Sequence, residues 1–515
     1  MRNGVKIAAA LALLASTAMG GTALAQKKAP PAPKGVITVS MPNARIPEVT
    51  DFYKPFLSSS DQLIPLDLKA HGYDEVEAIV TGKANVYQWG KDGGVEVAQG
   101  GHMFGTRVLI RKPTDKTKFS GNVVVEIVND ARSFDWVMMW GYMKEHMMRT
   151  GDAFAIITPP KATIGLKKWD AARYADLNFS PGMSLACRTG ENGDVMEEGL
   201  RFDVLAQVGA LMKNNTASGN PLAGYNVKHL FMTAQSGGQS DLTTYAMGLQ
   251  NTVRLPGNKP IYDGYLFKGI GGVSRLSHCA TAPAATDPHN MLKNVGVPIV
   301  AVVSQADYPG QVRFMREDSD APNDQFRVYQ IAAGPHLDKN AYDIFPALAD
   351  QTKAGNLQGT VQYPFTARCT PEYFLSASPL MKYAFDAGLS NLEGWANGVV
   401  PPKAPRFVVA ADGKLSDLDQ YGYAKGGVRS PWSDAPDVVT VMGGPGPGNC
   451  PELGHDVPMS WKHLTSVYGT PAAREAKALP VLDQMLAQKM ITPDDAELAR
   501  AEIRAPAALP GRNYP

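Results

Sequence analysis

The sequence predicts an α/β fold: a mostly parallel central sheet flanked by helices, with a large helical and loop-rich C-terminal addition. Two observations predict it. Short, continuously apolar, β-branched runs alternate with helical patterns as far as about residue 340, which is how strands covered on both faces read. Beyond that point the strand signal stops, and helical segments separated by Pro/Gly-rich loops take over.

The elements follow in order. Residues 1–25 read as a secretory signal peptide: a basic start (MRNGVK), an apolar stretch, and Ala23-Leu24-Ala25 before Gln26 as a cleavage signal. Residues 26–35 (QKKAPPAPKG) form a Pro/Lys/Ala tether expected to be disordered. One or two antiparallel lead-in strands are expected over 82–98. Strands are expected at 106–112 (TRVLIRK), 122–128 (NVVVEIV), 153–158 (AFAIIT), 227–233, 297–303 (VPIVAVV) and 326–331 (FRVYQI). Helices are expected at 134–150 and 197–213. The division is therefore a core over residues 36–339 and an addition over 340–515 packed on it.

The 515-residue chain carries a formal net charge of +1, with 44% hydrophobic and 19% charged residues. This is globular composition, and it gives no support for nucleic-acid binding or electrostatic attachment to a membrane. No run after the signal approaches the length of a membrane span, so the mature protein is expected to be exported, most simply to a bacterial periplasm. Four cysteines (Cys187, Cys279, Cys369, Cys450) are spaced too widely for a zinc knuckle or a redox pair. In an oxidising compartment they suggest two disulfides. Of three possible pairings, Cys279–Cys369 with Cys187–Cys450 is the expectation.

The chemistry centres on Ala234-Gln235-Ser236-Gly237-Gly238, between an apolar strand and a helical pattern. A serine hydroxyl attacks only with a base to take its proton, a carboxylate to orient that base, and N–H donors for the oxyanion. The strand-to-helix context and the small residues around Ser236 match a nucleophile elbow, G-x-S-x-G, with alanine at its first position. An elbow calls for an acid and then a histidine further on, each behind a strand. Asp307 follows VPIVAVV, and His336 follows FRVYQI across the small-residue loop AAGP. That order points to Ser236, Asp307 and His336 as catalytic residues. His455 has a neighbouring carboxylate but no expected strand before it, and His278 precedes the acid strand.

The Gly237 N–H is the expected first oxyanion donor, and Asn129, in the loop after NVVVEIV, the expected position of the second. The neighbouring Asp130 carboxylate is expected to point elsewhere. Neither HExxH, a Walker sequence nor a GxGxxG opening a βαβ unit is present, and GGPGPG at 443–448 reads as a loop. Neither cofactor nor metal is expected.

The sequence resembles the alpha/beta hydrolase domain family of largely uncharacterised secreted bacterial and fungal proteins. The resemblance runs through EAIVTGKANVYQW, FGTRVLIRKP, FSGNVVVEIVN, WDAARYADL, EEGLRFDVLAQVGALMK, AQSGGQSDLTTY and RVYQIAAGPH. It continues to LEGWANGVVPPKAPRF, GGVRSPW and LTSVYGT. It implies an alpha/beta-hydrolase fold, Ser236 as nucleophile, His336 as base, and hydrolysis of carboxylic esters. Two departures stand out: Ala234 where the elbow often has Ser, and Gln305 where members often carry Glu two positions before the Asp. The second leaves Asp307 as the acid there.

The expected function is a serine hydrolase acting on small-molecule esters. An acyltransferase or peptidase would use the same three residues, and a binding protein that kept the fold without the activity is the alternative from another class. Tyr373, Phe374, Met381 and Trp395 are candidates for an acyl or alcohol pocket, with a place in the core as the favoured reading.

Overall fold

The computed structural model describes residues 35–50, 53–180, 196–356, 366–367, 369, 373–446 and 450–504. The expected signal peptide, all but the last residue of the tether, and Cys187 lie outside the described residues. Among those described, nine strands form one sheet. In chain order they are β1 (Asn43–Arg45), β2 (Tyr73–Trp89), β3 (Val95–Pro113), β4 (Asn122–Ile127), β5 (Ala153–Ile157), β6 (His229–Gln235), β7 (Gly264–Lys268), β8 (Ile299–Ser304) and β9 (Phe326–Ile331).

Across the sheet the order is β9-β8-β7-β6-β4-β5-β3-β2-β1. Strands β4 to β9 pair in parallel, while β1, β2 and β3 are antiparallel. Because β5 lies on one side of β4 and β6 on the other, the chain reverses direction there. In an open parallel sheet the crevice outside such a reversal is where ligands bind. The loops after β4 and β6 sit at that point.

Alternation along the parallel strands sorts their side chains into two cores. Val124, Phe231, Leu266, Val300 and Val302 face one, and Val123, Val125, Leu230, Met232, Tyr265, Phe267 and Ala301 face the other. Both faces are buried, which is why these strands read as unbroken apolar runs. The first face is covered by α1 (Met139–Thr150), and the second receives α2 (Leu200–Lys213). After the elbow comes α3 (Gly238–Thr244). A helix from beyond residue 340, α4 (Leu380–Ala396), lies directly on β7 and β8. A Cβ on its Gly388 would come within 3.0 Å of Val302 and 3.2 Å of Leu266, so glycine sets the close approach.

Several expectations need correcting. The lead-in is one hairpin of 17- and 19-residue strands, longer than the expected runs at 82–98 and 106–112. Its register slips between Ala84 and Val86, which lets Gly100-Gly101 pass inside a strand instead of ending it. Helix α1 starts at Met139, not at residue 134. The Glu126 carboxyl oxygens accept the N–H groups of Met138 and Met139 at 2.9 and 3.1 Å and so fix the first turn. Strand β7 was not expected at all.

The disulfide pairing also differs. Cys369 bonds Cys450, so Cys279–Cys369 and Cys187–Cys450 are both overturned. Both bonded residues belong to the segment after residue 340, which folds on itself; Cys279 is disulfide-bonded as well. His455 does have a strand before it: His455–Pro458 pairs antiparallel with Val438–Val441. Met381 and Trp395 are core residues, as favoured. The side chains of Tyr373 and Phe374 are outside the description. No helix among the described residues is long and apolar enough to cross a membrane.

Candidate active site

Strand β6 ends at Gln235 and α3 starts at Gly238, leaving Ser236 and Gly237 to make the turn. Ser236 has φ +53°, in the left-handed region that costs a non-glycine residue about 1–3 kcal/mol. Packing enforces the turn. A Cβ on Gly238 would lie 2.6 Å from the Ile127 carbonyl oxygen, so nothing larger than glycine fits against β4 there. Ser236 is half-buried and Gly237 exposed.

Asn129 lies beside the turn, its side-chain amide 3.6 Å from where a Gly237 Cβ would be. It is held by two bonds: Asn129 O accepts Trp136 N–H at 3.0 Å, and Oδ1 accepts Ala131 N–H at 2.9 Å. Burial pushes the Asp130 carboxyl above its usual range, opposed by Arg201, whose guanidinium bridges Asp241 at 3.1 Å.

Asp307 and His336 meet at the C-terminal ends of β8 and β9. The His336 Nδ1 hydrogen-bonds Asp307 Oδ1, and the Ser304 hydroxyl donates to Asp307 Oδ2 at 2.7 Å. Burial would push the Asp307 carboxyl up, but the charges of Lys268 and His336 and the bonds from His336 and Ser304 hold it well below the usual range. An ionised Asp307 favours a proton on Nδ1, so that in the neutral imidazole Nε2 is the acceptor nitrogen. That nitrogen lies by the elbow, 3.5 Å from Gln235 Nε2. Of the three histidines weighed from the sequence, His336 is the one paired with Asp307.

The two loops are tied together. Gln305 N–H donates to Ile331 O at 3.0 Å, and Ala306 N–H to Gly334 O at 3.1 Å. Ala333 takes φ +63°, and a Cβ on Gly334 would lie 2.7 Å from Met381 Sδ and 3.3 Å from Ser304 Cβ. The small residues of AAGP are therefore required by close packing. Gln305 is buried and bonded at both ends of its amide: Oε1 accepts Ala333 N–H at 3.0 Å and Ala424 N–H at 2.8 Å, while Nε2 donates to Gly422 O at 2.9 Å. It latches the turn after β8 to the C-terminal segment.

Sequence reasoning missed one charged residue here. Lys268 closes β7 and is fully buried; its Nζ donates to His336 O at 2.6 Å and lies 3.6 Å from Asp307 Oδ2. Asp338 lies within the field of Lys268; burial outweighs that charge and the Asn340 bonds and raises its carboxyl to about 7. The signal was available: a lysine ends an otherwise apolar run, GYLFK, between the elbow and acid strands.

A parallel sheet whose central strand ends in a strained serine turn, with two neighbouring strand ends supplying the loops beside it, is the alpha/beta-hydrolase fold. The chain belongs to the alpha/beta hydrolase domain family, whose model matches residues 39–501. Among solved structures it is similar to a glucuronoyl esterase from Solibacter usitatus, at 7% identity and TM-score 0.29 over 59% of this chain and 84% of that one. It is also similar to esterase B from Lactobacillus rhamnosis (11%, TM-score 0.26, 48% and 75%). A fungal esterase from Rhizomucor miehei is a third (10%, TM-score 0.26, 52% and 81%). At such identities and TM-scores nothing about substrate or chemistry passes from these enzymes to this chain. No curated protein sequence matches it.

Proposed function

We propose that the protein is a serine hydrolase that cleaves carboxylic esters of small molecules through an acyl-enzyme on Ser236. The observation that carries this reading is the Asp307–His336 hydrogen bond at the same C-terminal end of the sheet as the left-handed turn at Ser236. In the reaction, Ser236 Oγ attacks the ester carbonyl carbon while His336 Nε2 takes its proton. The oxyanion is received by the Gly237 N–H, which as a helix-start N–H has no intrahelical acceptor, and by a donor of Asn129. The imidazolium formed, stabilised by ionised Asp307, gives its proton to the departing alcohol. Water activated by the same imidazole then attacks the acyl carbonyl and frees Ser236.

The experiment is covalent labelling of the mature protein with a fluorophosphonate, with the adduct located by mass spectrometry. The expected result is one adduct on Ser236, absent from Ser236→Ala and from His336→Ala. Folded protein without an adduct contradicts the reading and favours the binding role. Product analysis of a cleaved ester with and without added alcohol separates transfer to water from transfer to an alcohol.

A further inference from the structure

We propose that Lys268 is a positioning residue for the Asp307–His336 pair: its ammonium anchors the His336 main chain and sets a buried cation against the Asp307 carboxyl group. The proposal rests on the reading of Asp307 and His336 as acid and base.

Lys268 is the last residue of β7, which lies between the strand ending at the Ser236 turn and the strand leading to Asp307. Its side chain has no exposure to solvent. Groups from several elements face it. Asp307, after β8, lies 3.6 Å from Nζ, and the His336 carbonyl oxygen, after β9, accepts from it at 2.6 Å. Asp338 lies two residues beyond that carbonyl, within the lysine's field, and the Tyr142 hydroxyl of α1 is beside Asp338. The Lys268 main chain is gripped too: Gln239 Nε2, from α3 of the elbow, donates to its carbonyl oxygen. One residue thus touches the elbow helix, the acid turn and the histidine loop.

Burying an ammonium is costly, and a leucine or methionine would occupy the same space without that cost. The charge is therefore a poor choice for packing alone. It suits a site where a buried carboxylate must remain ionised and the peptide carrying a histidine must not shift. Without Lys268, the side-chain partners of buried Asp307 among the described residues are His336 and Ser304. Loss of one adjacent positive charge moves a carboxylate by roughly 1–3 pH units, and a coupled acid–base pair shows such a change as a shift of its apparent titration.

The test measures the rate of fluorophosphonate labelling of Ser236 against pH in the mature full-length protein, with thermal unfolding recorded alongside. Lys268→Met and Lys268→Gln remove the charge, and Lys268→Arg keeps it. Both neutral variants are expected to move the acid limb upward by roughly 1 pH unit. Labelling on that limb then falls about tenfold, and Lys268→Arg restores the limb. If Lys268→Met does not fold, Lys268→Gln, which keeps a donor for the His336 carbonyl, carries the comparison. An unmoved acid limb in a folded neutral variant, at whatever rate, makes Lys268 merely structural and overturns the proposal. Wild-type protein without label at any pH overturns the serine-hydrolase reading itself, and this inference with it.

Discussion

Ala234 and Gly238, the two ends of the elbow, are pressed together: a Cβ on Gly238 would lie 3.2 Å from the Ala234 Cβ as well as 2.6 Å from the Ile127 carbonyl oxygen. The alanine at the first elbow position is thus compatible with the turn, because the neighbour it meets is a glycine. Gly238→Ala has no flexible side chain to displace, only the backbone of β4 and the Ala234 methyl group. It is expected to cost about 1–3 kcal/mol in urea unfolding and to slow labelling of Ser236. An unchanged urea midpoint would show that the elbow relaxes freely.

Gln305 and Asp307 both sit in the turn after β8 but make different contacts. A carboxylate at 305 could not donate to Gly422 O, so Gln305→Glu is expected to destabilise by about 1–3 kcal/mol without taking over the role of Asp307. Asp307→Asn is expected to reduce turnover by a factor on the order of 10³–10⁴, because it favours the wrong imidazole tautomer. Its stability effect has a definite sign. The folded-state value of Asp307 is depressed, so its contribution is full above an unfolded value of about 3.9 and fades as pH falls toward the folded one. The stability gap between wild type and Asp307→Asn should therefore be widest near neutrality and close in acid. Equal gaps at both ends, or wild-type turnover in Asp307→Asn, would place the acid elsewhere.

The parallel strands were legible because each buries both faces, and the order Ser236, Asp307, His336 was legible because each follows such a strand. Strand β7 was not: five residues closed by a charged lysine resemble a loop until the neighbours that bury them are known. The full lead-in hairpin was hidden by Gly100-Gly101, which a register slip absorbs. The role of Gln305 depends on backbone groups at Ala333, Gly422 and Ala424, two of them far along the chain, and no local pattern announces that. The cysteine pairing failed for the same reason, since it follows from how the last third of the chain folds on itself.

That pairing bears on the site. Residues 450–454 run beside the histidine loop: Leu337 N–H donates to Glu452 O at 3.0 Å, and Gly454 N–H donates to Leu337 O at 2.8 Å. A Cβ on Gly454 would lie 2.4 Å from Pro335 Cβ. The Cys369–Cys450 bond, closing a separation of 81 residues, holds this segment in place. Cys450→Ser is expected to cost about 2–5 kcal/mol and to slow Ser236 labelling more than a substitution of equal stability cost far from the loop. Unfolding and labelling measured on both variants check this; equal labelling would mean that the clamp does not reach His336.

Glu126 offers a pH test of the scaffold that carries Asn129. It lies on β4, is fully buried, and holds the start of α1 through the Met138 and Met139 N–H groups. Burial raises its carboxyl to about 8, against those hydrogen bonds. The folded protein then keeps a proton that the unfolded chain releases near pH 4.3, so this residue makes stability fall as pH rises from about 4 to about 8. Glu126→Gln keeps the shape and a neutral acceptor while removing the titration. Its urea midpoint relative to wild type should therefore improve between pH 5 and pH 8. Parallel stability curves across that range would mean that Glu126 is ionised in the folded state, with Arg111 as its counter-charge instead of a bound proton.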